Sequence, residues 1–481
     1  MCFLWNGVLT LMQSISLINP RFLIIIIVGC VVAVSPTWAD GLDELAQQQK
    51  LTPSDANVGD MFGISVAIDG NTAVAGAYHD DDNGSNSGSA YVFTRNGCGW
   101  QQQQKLTAPD AAAGDEFGCS VAIDEDTIVV GSCLDGSGIG SAYVFAYDGS
   151  TWSQQKKLTA DDGSSNDQFG YSVCIDEDTI VVGAYQADPC GTDSGAAYVF
   201  TRSGSAWSQQ QKIIASDGSA DDLFGHSVSV DGNSTIIGAY QDDPCGTNSG
   251  SAYVYTRSGS TWSLQQKLTA DDGDVNDHFG YSVNIWDYVA AVGATGDSNS
   301  AGAAYTFIRD GSTWDQDDKL YDDNDQHNSE YFGCSVGLDE DRTIVGISSD
   351  QVNGIPTGAV YDLPVELVVG GDAKWHIAYD GASGDNFGCS VSLYSNYFIT
   401  GASGGDDNGT DSGSAYVFCT NCPKTDLNQD GRVDFMDFAI LACQWLQTPG
   451  QPSADIVPFH ARDGIVNILD LRVLAAQWLQ P

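Results

Sequence analysis

Twelve residues near the carboxyl end carry the most specific chemistry in this sequence. Asp426, Asn428, Asp430, Asp434 and Asp437 place side-chain oxygens at positions one, three, five, nine and twelve of a loop. Arg432 offers its backbone carbonyl at position seven, and Gly431 supplies the sharp turn at position six. Hard oxygen ligands at that spacing suit calcium, which takes about six to eight of them. A second copy, 33 residues further on, is damaged: Asp463, Asn467 and Asp470 hold positions five, nine and twelve, but Phe459 and Ala461 stand at one and three. Calcium is therefore the expected cofactor, held mainly by the first loop and more weakly by the second.

No catalytic set stands out beside these ligands. The six histidines are scattered and read as surface or packing residues. Carboxylates are abundant: 64 acidic residues against 18 basic give a net charge of −46. Glycoside hydrolysis needs one carboxylate pair about 5–10 Å apart across a cleft. Nothing in the sequence singles out such a pair, so no catalytic residue is assigned. The charge repels phosphate backbones and argues against nucleic acid as a partner.

What positions most of the acids is a repeat. Phe-Gly-x-Ser stands at Phe62, Phe117, Phe169, Phe224, Phe279, Phe332 and Phe387, at steps of 55, 52, 55, 55, 53 and 55 residues. A fixed period of that size means units that bury their apolar faces only by stacking on neighbours. In the third copy, residues 169–175, 179–184, 195–200 and 207–213 read as four strands, the last polar and outermost. Seven units of four antiparallel strands predict an all-β, seven-bladed propeller. The chain starts with a fourth strand, residues 45–51, and the seventh copy ends without one. The leading strand is thus expected to complete the last blade. Lys105, Lys157, Lys212, Lys267 and Lys319 recur on the outer strand, where lysine discourages edge-to-edge pairing. An acid sits two residues before every repeat phenylalanine (Asp60, Asp115, Asp167, Asp222, Asp277, Glu330 and Asp385) and reads as a turn acid that bonds the backbone. The loops entering the first strand and joining strands two and three are both acidic, and up-down strands bring them to one face.

Together with Gly-Ala in the second strand (Gly76-Ala77, Gly183-Ala184, Gly238-Ala239, Gly401-Ala402), the seven copies resemble the FG-GAP repeat of integrin α subunits. The resemblance implies a ligand-binding propeller. Integrin propellers carry calcium in the turn between their first two strands. Here that turn is only Asp124-Glu-Asp126 or Asp231-Gly-Asn233, too short to wrap the ion, so this role is not carried over.

After Cys422 the period stops and the pattern turns helical. Gly431, Val433, Asp437, Leu441, Trp445 and Leu446 recur as Gly464, Val466, Asp470, Leu474, Trp478 and Leu479. Two calcium-loop-plus-helix segments resemble a type I dockerin, an EF-hand-like α-helical module. The resemblance implies docking to a cohesin-like or cell-surface protein. The family's hydroxyl contact pair is replaced by Phe435-Met436 and Ile468-Leu469.

Arg21, the apolar run 22–34 and the small residues Thr37 and Ala39 read as an export signal cut before Asp40. The expected organisation is a signal peptide (1–39), a propeller (40–421) and a dockerin-like module (422–481), in a secreted or cell-surface protein with no membrane span after cleavage. Export places the eleven remaining cysteines in an oxidising compartment. Cys119, Cys334 and Cys389 share one place in the repeat, and Cys190 and Cys245 another. Cys419 and Cys422 are close enough to bridge. The leading functional expectation is a non-enzymatic binding or adhesion protein with a polysaccharide or protein ligand on the propeller face. A glycoside hydrolase or lyase within a polysaccharide-degrading system is the alternative.

Overall fold

Each repeat spells one apolar strand between two amphipathic ones, and such a sheet must be covered on both faces. The second strands are its centre: Thr127–Ser132, Thr179–Ala184 and Ser234–Ala239 are buried at every residue. The computed structural model describes residues 47–419, apart from 97–98, 323–329, 341, 350, 353–354, 365–373 and 379. They form seven four-stranded antiparallel sheets. The first strands of successive blades touch all the way round, and the seventh touches the first, so these strands surround the axis of a seven-bladed propeller. Each of its seven apolar clusters draws residues from two adjacent blades. Val74, Val92 and Leu106 of blade one, for example, pack with Phe117, Tyr143 and Trp152 of blade two.

The Phe-Gly-x-Ser motif is the seam between blades. Its phenylalanines are fully buried and meet strand-three aromatics edge to face, as Phe117 does with Tyr143 at 5.4 Å and Phe145 at 6.1 Å. The motif glycine takes a positive φ (94° at Gly118), and a Cβ there would run into the Ser89 carbonyl of the preceding blade. The motif serine donates to the glycine carbonyl of the next blade at all seven junctions. The set runs from Ser65 to Gly118, 2.9 Å, round to Ser390 and Gly63, 2.8 Å.

The ring closes as expected. Gln47–Leu51 pairs antiparallel with Ser414–Cys419 and becomes the outer strand of blade seven. Blade six departs most: its outer strand is only Lys374–His376, and a small hairpin, Gln351–Val352 with Ile355–Pro356, precedes its third strand. The expected signal segment 1–39 and the helical calcium module 422–481 lie outside the described residues.

Candidate functional site

All nine expected calcium ligands, Asp426, Asn428, Asp430, Arg432, Asp434, Asp437, Asp463, Asn467 and Asp470, also lie outside the described residues. The acids of the propeller do not, and most are already bonded. The six turn aspartates behave as expected: Asp60 accepts from the Asn57 amide at 2.7 Å, Asp115 from Ala112 at 2.6 Å and Asp222 from Ser219 at 2.6 Å, and Asp167, Asp277 and Asp385 do the same. Burial pushes the carboxyls of Asp60 and Asp222 up to about 6.

The two acidic loops do share a face, because the glycine before each third strand bridges to the phenylalanine of the next blade. There the outer-strand lysines do something other than guard an edge. Lys105 lies 2.9, 2.9 and 2.5 Å from Asp55, Asp80 and Asp82, above the Tyr91 ring at 5.1 Å. Tyr91 donates its hydroxyl to Asp80 at 2.7 Å. The arrangement recurs with Lys157, Tyr143, Asp110 and Asp135, and with Lys267, Tyr253, Asp217 and Asp242. Lys319 and Lys50 repeat it in blades five and seven. Burial disfavours the Lys105 charge, but the three carboxylates more than offset it and its pKa rises. Among the described residues, Asp55, Asp80 and Asp82 form a compact carboxylate group that could hold a metal ion, but the Lys105 ammonium sits against all three.

On the opposite face, the acid ending a first strand accepts from an amide of the next blade's turn. Asp69 takes Glu125 at 2.9 Å, Asp124 takes Glu177 at 2.7 Å, Asp176 takes Gly232 at 2.7 Å and Asp231 takes Asp287 at 2.8 Å. Asp339 does the same with Ser395. Burial pushes Asp124 up to about 6. Trp286 and Tyr394 stand in the two remaining places and are 41% and 44% exposed.

What the repeat leaves free to vary is the axial mouth on the loop face. Three positions per blade line it: the residue before Phe-Gly, the residue after it, and the residue that follows the second strand. In blades three to five these hold an aromatic crescent. Tyr171 lies 4.3 Å from Tyr185 and 5.1 Å from His226, ring centre to ring centre. His226 lies 4.5 Å from Tyr240 and 4.9 Å from Tyr281, and His278 reaches Tyr240 at 5.5 Å. All six are half-buried. His226 meets the Tyr281 carbonyl through Nδ1 at 3.0 Å, and burial lowers its pKa to about 4, so the ring is neutral and Nδ1 carries the proton. Gln168 and Gln186 bond each other at the edge of the crescent, and Gln241 meets the Tyr240 hydroxyl at 3.3 Å. Aromatic faces edged with amides can stack on and hydrogen-bond a ligand without charge.

A model described as the FG-GAP repeat matches residues 45–93, 100–145, 152–200, 207–255, 262–307, 314–363 and 376–418. These segments make up well over half of the sequence.

The chain belongs to the FG-GAP repeat family.

Each matched segment begins on or beside the outer strand of one blade and ends in the third strand of the next, so the FG-GAP unit straddles a seam. No curated protein matches the chain. The seam explains why sequence reasoning found the blades and missed the mouth. The motif marks positions that are the same in every blade, whereas Tyr171, His226 and Tyr281 occupy its one open letter. Comparing that letter across the seven copies is the signal that locates them.

Proposed function

We propose that this FG-GAP propeller is an exported, non-enzymatic binding protein whose axial mouth takes a polysaccharide or protein ligand. The carrying observation is the contrast on the loop face. Its repeated carboxylates are engaged by backbone amides, tyrosines and lysines, while the unrepeated side chains at the mouth form the crescent of Tyr171, Tyr185, His226, Tyr240 and Tyr281. Bonded acids are poor candidates for a hydrolytic pair, and stacked tyrosines are good sugar platforms. In this reading the tail, residues 422–481, folds around calcium through Asp426, Asn428, Asp430, Arg432, Asp434 and Asp437. It docks the protein to a cohesin-like or cell-surface partner.

The exported protein, assayed on a glycan panel for both retention and product release, tests the mouth. Retention of at least one glycan, weakened by Tyr185→Ala at an unchanged melting temperature, is expected. Sustained release of reducing ends, lost on one carboxylate substitution, would replace the reading with the enzymatic one. Asp430→Ala in the full chain should remove most of the calcium response of partner binding, whereas Asp463→Ala should change little. Equal effects of the two would overturn the asymmetric tail.

A further inference from the structure

Next to the crescent round the mouth, the seam between blades one and two carries a donor set of a different kind. His79 follows the second strand of blade one. Glu116 precedes Phe117, Cys119 follows Gly118, and Cys133 follows the second strand of blade two. One Glu116 oxygen lies 3.7 Å from the Cys133 sulfur and the other 3.9 Å from His79 Nε2. Cys119 donates to the Gly170 carbonyl at 3.5 Å, and its thiol is the group that most perturbs Cys133. Tyr78, whose ring lies 3.9 Å from that of His79, backs the imidazole. Cys133 is buried, while Glu116 and His79 remain partly open to the mouth.

We propose that His79, Glu116, Cys119 and Cys133 bind a thiophilic divalent cation of the Zn²⁺ class. Two thiolates, an imidazole and a carboxylate are a donor set for tetrahedral zinc. With Zn–S near 2.3 Å and Zn–N or Zn–O near 2.0–2.1 Å, ligand atoms around the ion stand about 3.3–3.8 Å apart. The Glu116–Cys133 edge already falls at that spacing, and the other Glu116 oxygen stands beside His79. Ion binding requires the His79 and Cys119 side chains to turn inward to close the other edges. The repeat supplies its own control, because the next seam puts Leu134, Gln168, Tyr171 and Tyr185 at the same four places. Packing therefore does not require this combination. Calcium, a hard ion, has no claim on two thiols, so the site is distinct in kind from the loops of the tail.

The test strips the full exported chain with chelator under a phosphine reductant, then titrates Zn²⁺ and Co²⁺ with calcium in excess. One tightly held Zn²⁺ is expected. Co²⁺ should bring a thiolate-to-cobalt charge-transfer band and tetrahedral d–d bands. Cys133→Ser and His79→Ala should each weaken Zn²⁺ binding by more than about tenfold, whereas Cys334→Ser, elsewhere in the mouth, should leave it unchanged. His79 is partly exposed, so its variant stays informative if Cys133→Ser folds poorly. No Zn²⁺ uptake by the reduced protein, a cobalt spectrum without thiolate character, or equal loss in Cys334→Ser would overturn the proposal. So would a Cys119–Cys133 disulfide in the protein as exported, found by peptide mapping, since the two thiols would then be a cross-link.

Discussion

At the axis the seven blades are joined by the same atoms, and at the rim they are not. Every junction has its serine-to-glycine-carbonyl bond, including those on both sides of the irregular sixth blade. Further out, blades three and four are clasped by Gln211, which both accepts from and donates to the Trp262 backbone at 2.9 Å. Gln49, Gln104 and Gln266 repeat that clasp at three other seams. Blade six has a different interior. Arg342 from its second strand and His376 from its fourth both meet the buried carboxylate of Asp362. At the seam the motif glycines press on the neighbouring blade's backbone and leave no room for a Cβ, so those positions are fixed by sterics. At the rim the blades diverge, and several polar devices fill the wider gap equally well.

The largest test of that contrast is at one seam. Gly225→Val puts a branched side chain at φ 93° against the Ala196 carbonyl. A loss on the order of 5 kcal/mol is expected, comparable to the whole stability of many domains. Gln211→Leu removes the clasp between the same two blades and should cost only about 1–2 kcal/mol. Denaturant melts of both variants decide it, and equal losses would erase the distinction between axis and rim.

A second test asks what blade six gains from its buried charges. Asp362→Ala strands Arg342 without its partner and should cost about 3–5 kcal/mol, less than the axial clash. The double variant Asp362→Leu, Arg342→Met should recover most of that loss. Failure of the double variant to recover would mean that the pair contributes more than mutual neutralisation.

The smallest effect separates the two regions by pH. Burial raises the carboxyls of Asp60, Asp124 and Asp222 to about 6. Their contribution to stability is full below the unfolded value near 4 and is lost as pH rises through about 6. On the rim, Lys157 holds Asp110 low, and Lys212 holds Asp162 low. Lys319 does the same for Asp272 against the effect of its burial. Those contributions are present above about 4 and vanish as pH falls through the depressed values. The melting temperature should therefore peak between about pH 4 and 6, lie a few degrees lower at pH 7.5 and drop steeply below 4. Asp60→Asn with Asp222→Asn should flatten the upper limb alone, in high salt that screens the net charge. A melting temperature rising steadily from pH 4 to 8 would contradict this assignment.

The sequence made the blades legible because each Phe-Gly-x-Ser copy reports the same seam seven times. Closure by residues 47–51 followed from one strand too many at one end and one too few at the other. The turn acids were readable because Asp60 and Asn57 lie three residues apart. The role of Lys105 was not, since Asp55, Asp80 and Asp82 come from two separate loops. Nor was the acid ring of Asp69, Asp124, Asp176, Asp231 and Asp339, whose amide partners belong to the next copy, 56 or 53 residues away. The set of His79, Glu116, Cys119 and Cys133 was hidden for a third reason. Its members sit at positions where the copies disagree, and a period draws the eye to those where they agree.

Pairing Gln47–Leu51 with Ser414–Cys419 also sets an order of events in time. The strand synthesised first is the last to find its partner. At about 5–20 residues per second, it waits on the order of half a minute while six blades and the rest of the seventh emerge. During that interval both ends of an open arc carry unpaired strand edges, the surfaces on which chains join one another. The entropy of bringing the ends together grows only logarithmically with the length between them. A stiff arc of stacked blades already carries most of the required curvature. Completion is thus a single late docking step, and the nascent ring is most exposed to a neighbouring copy just before it.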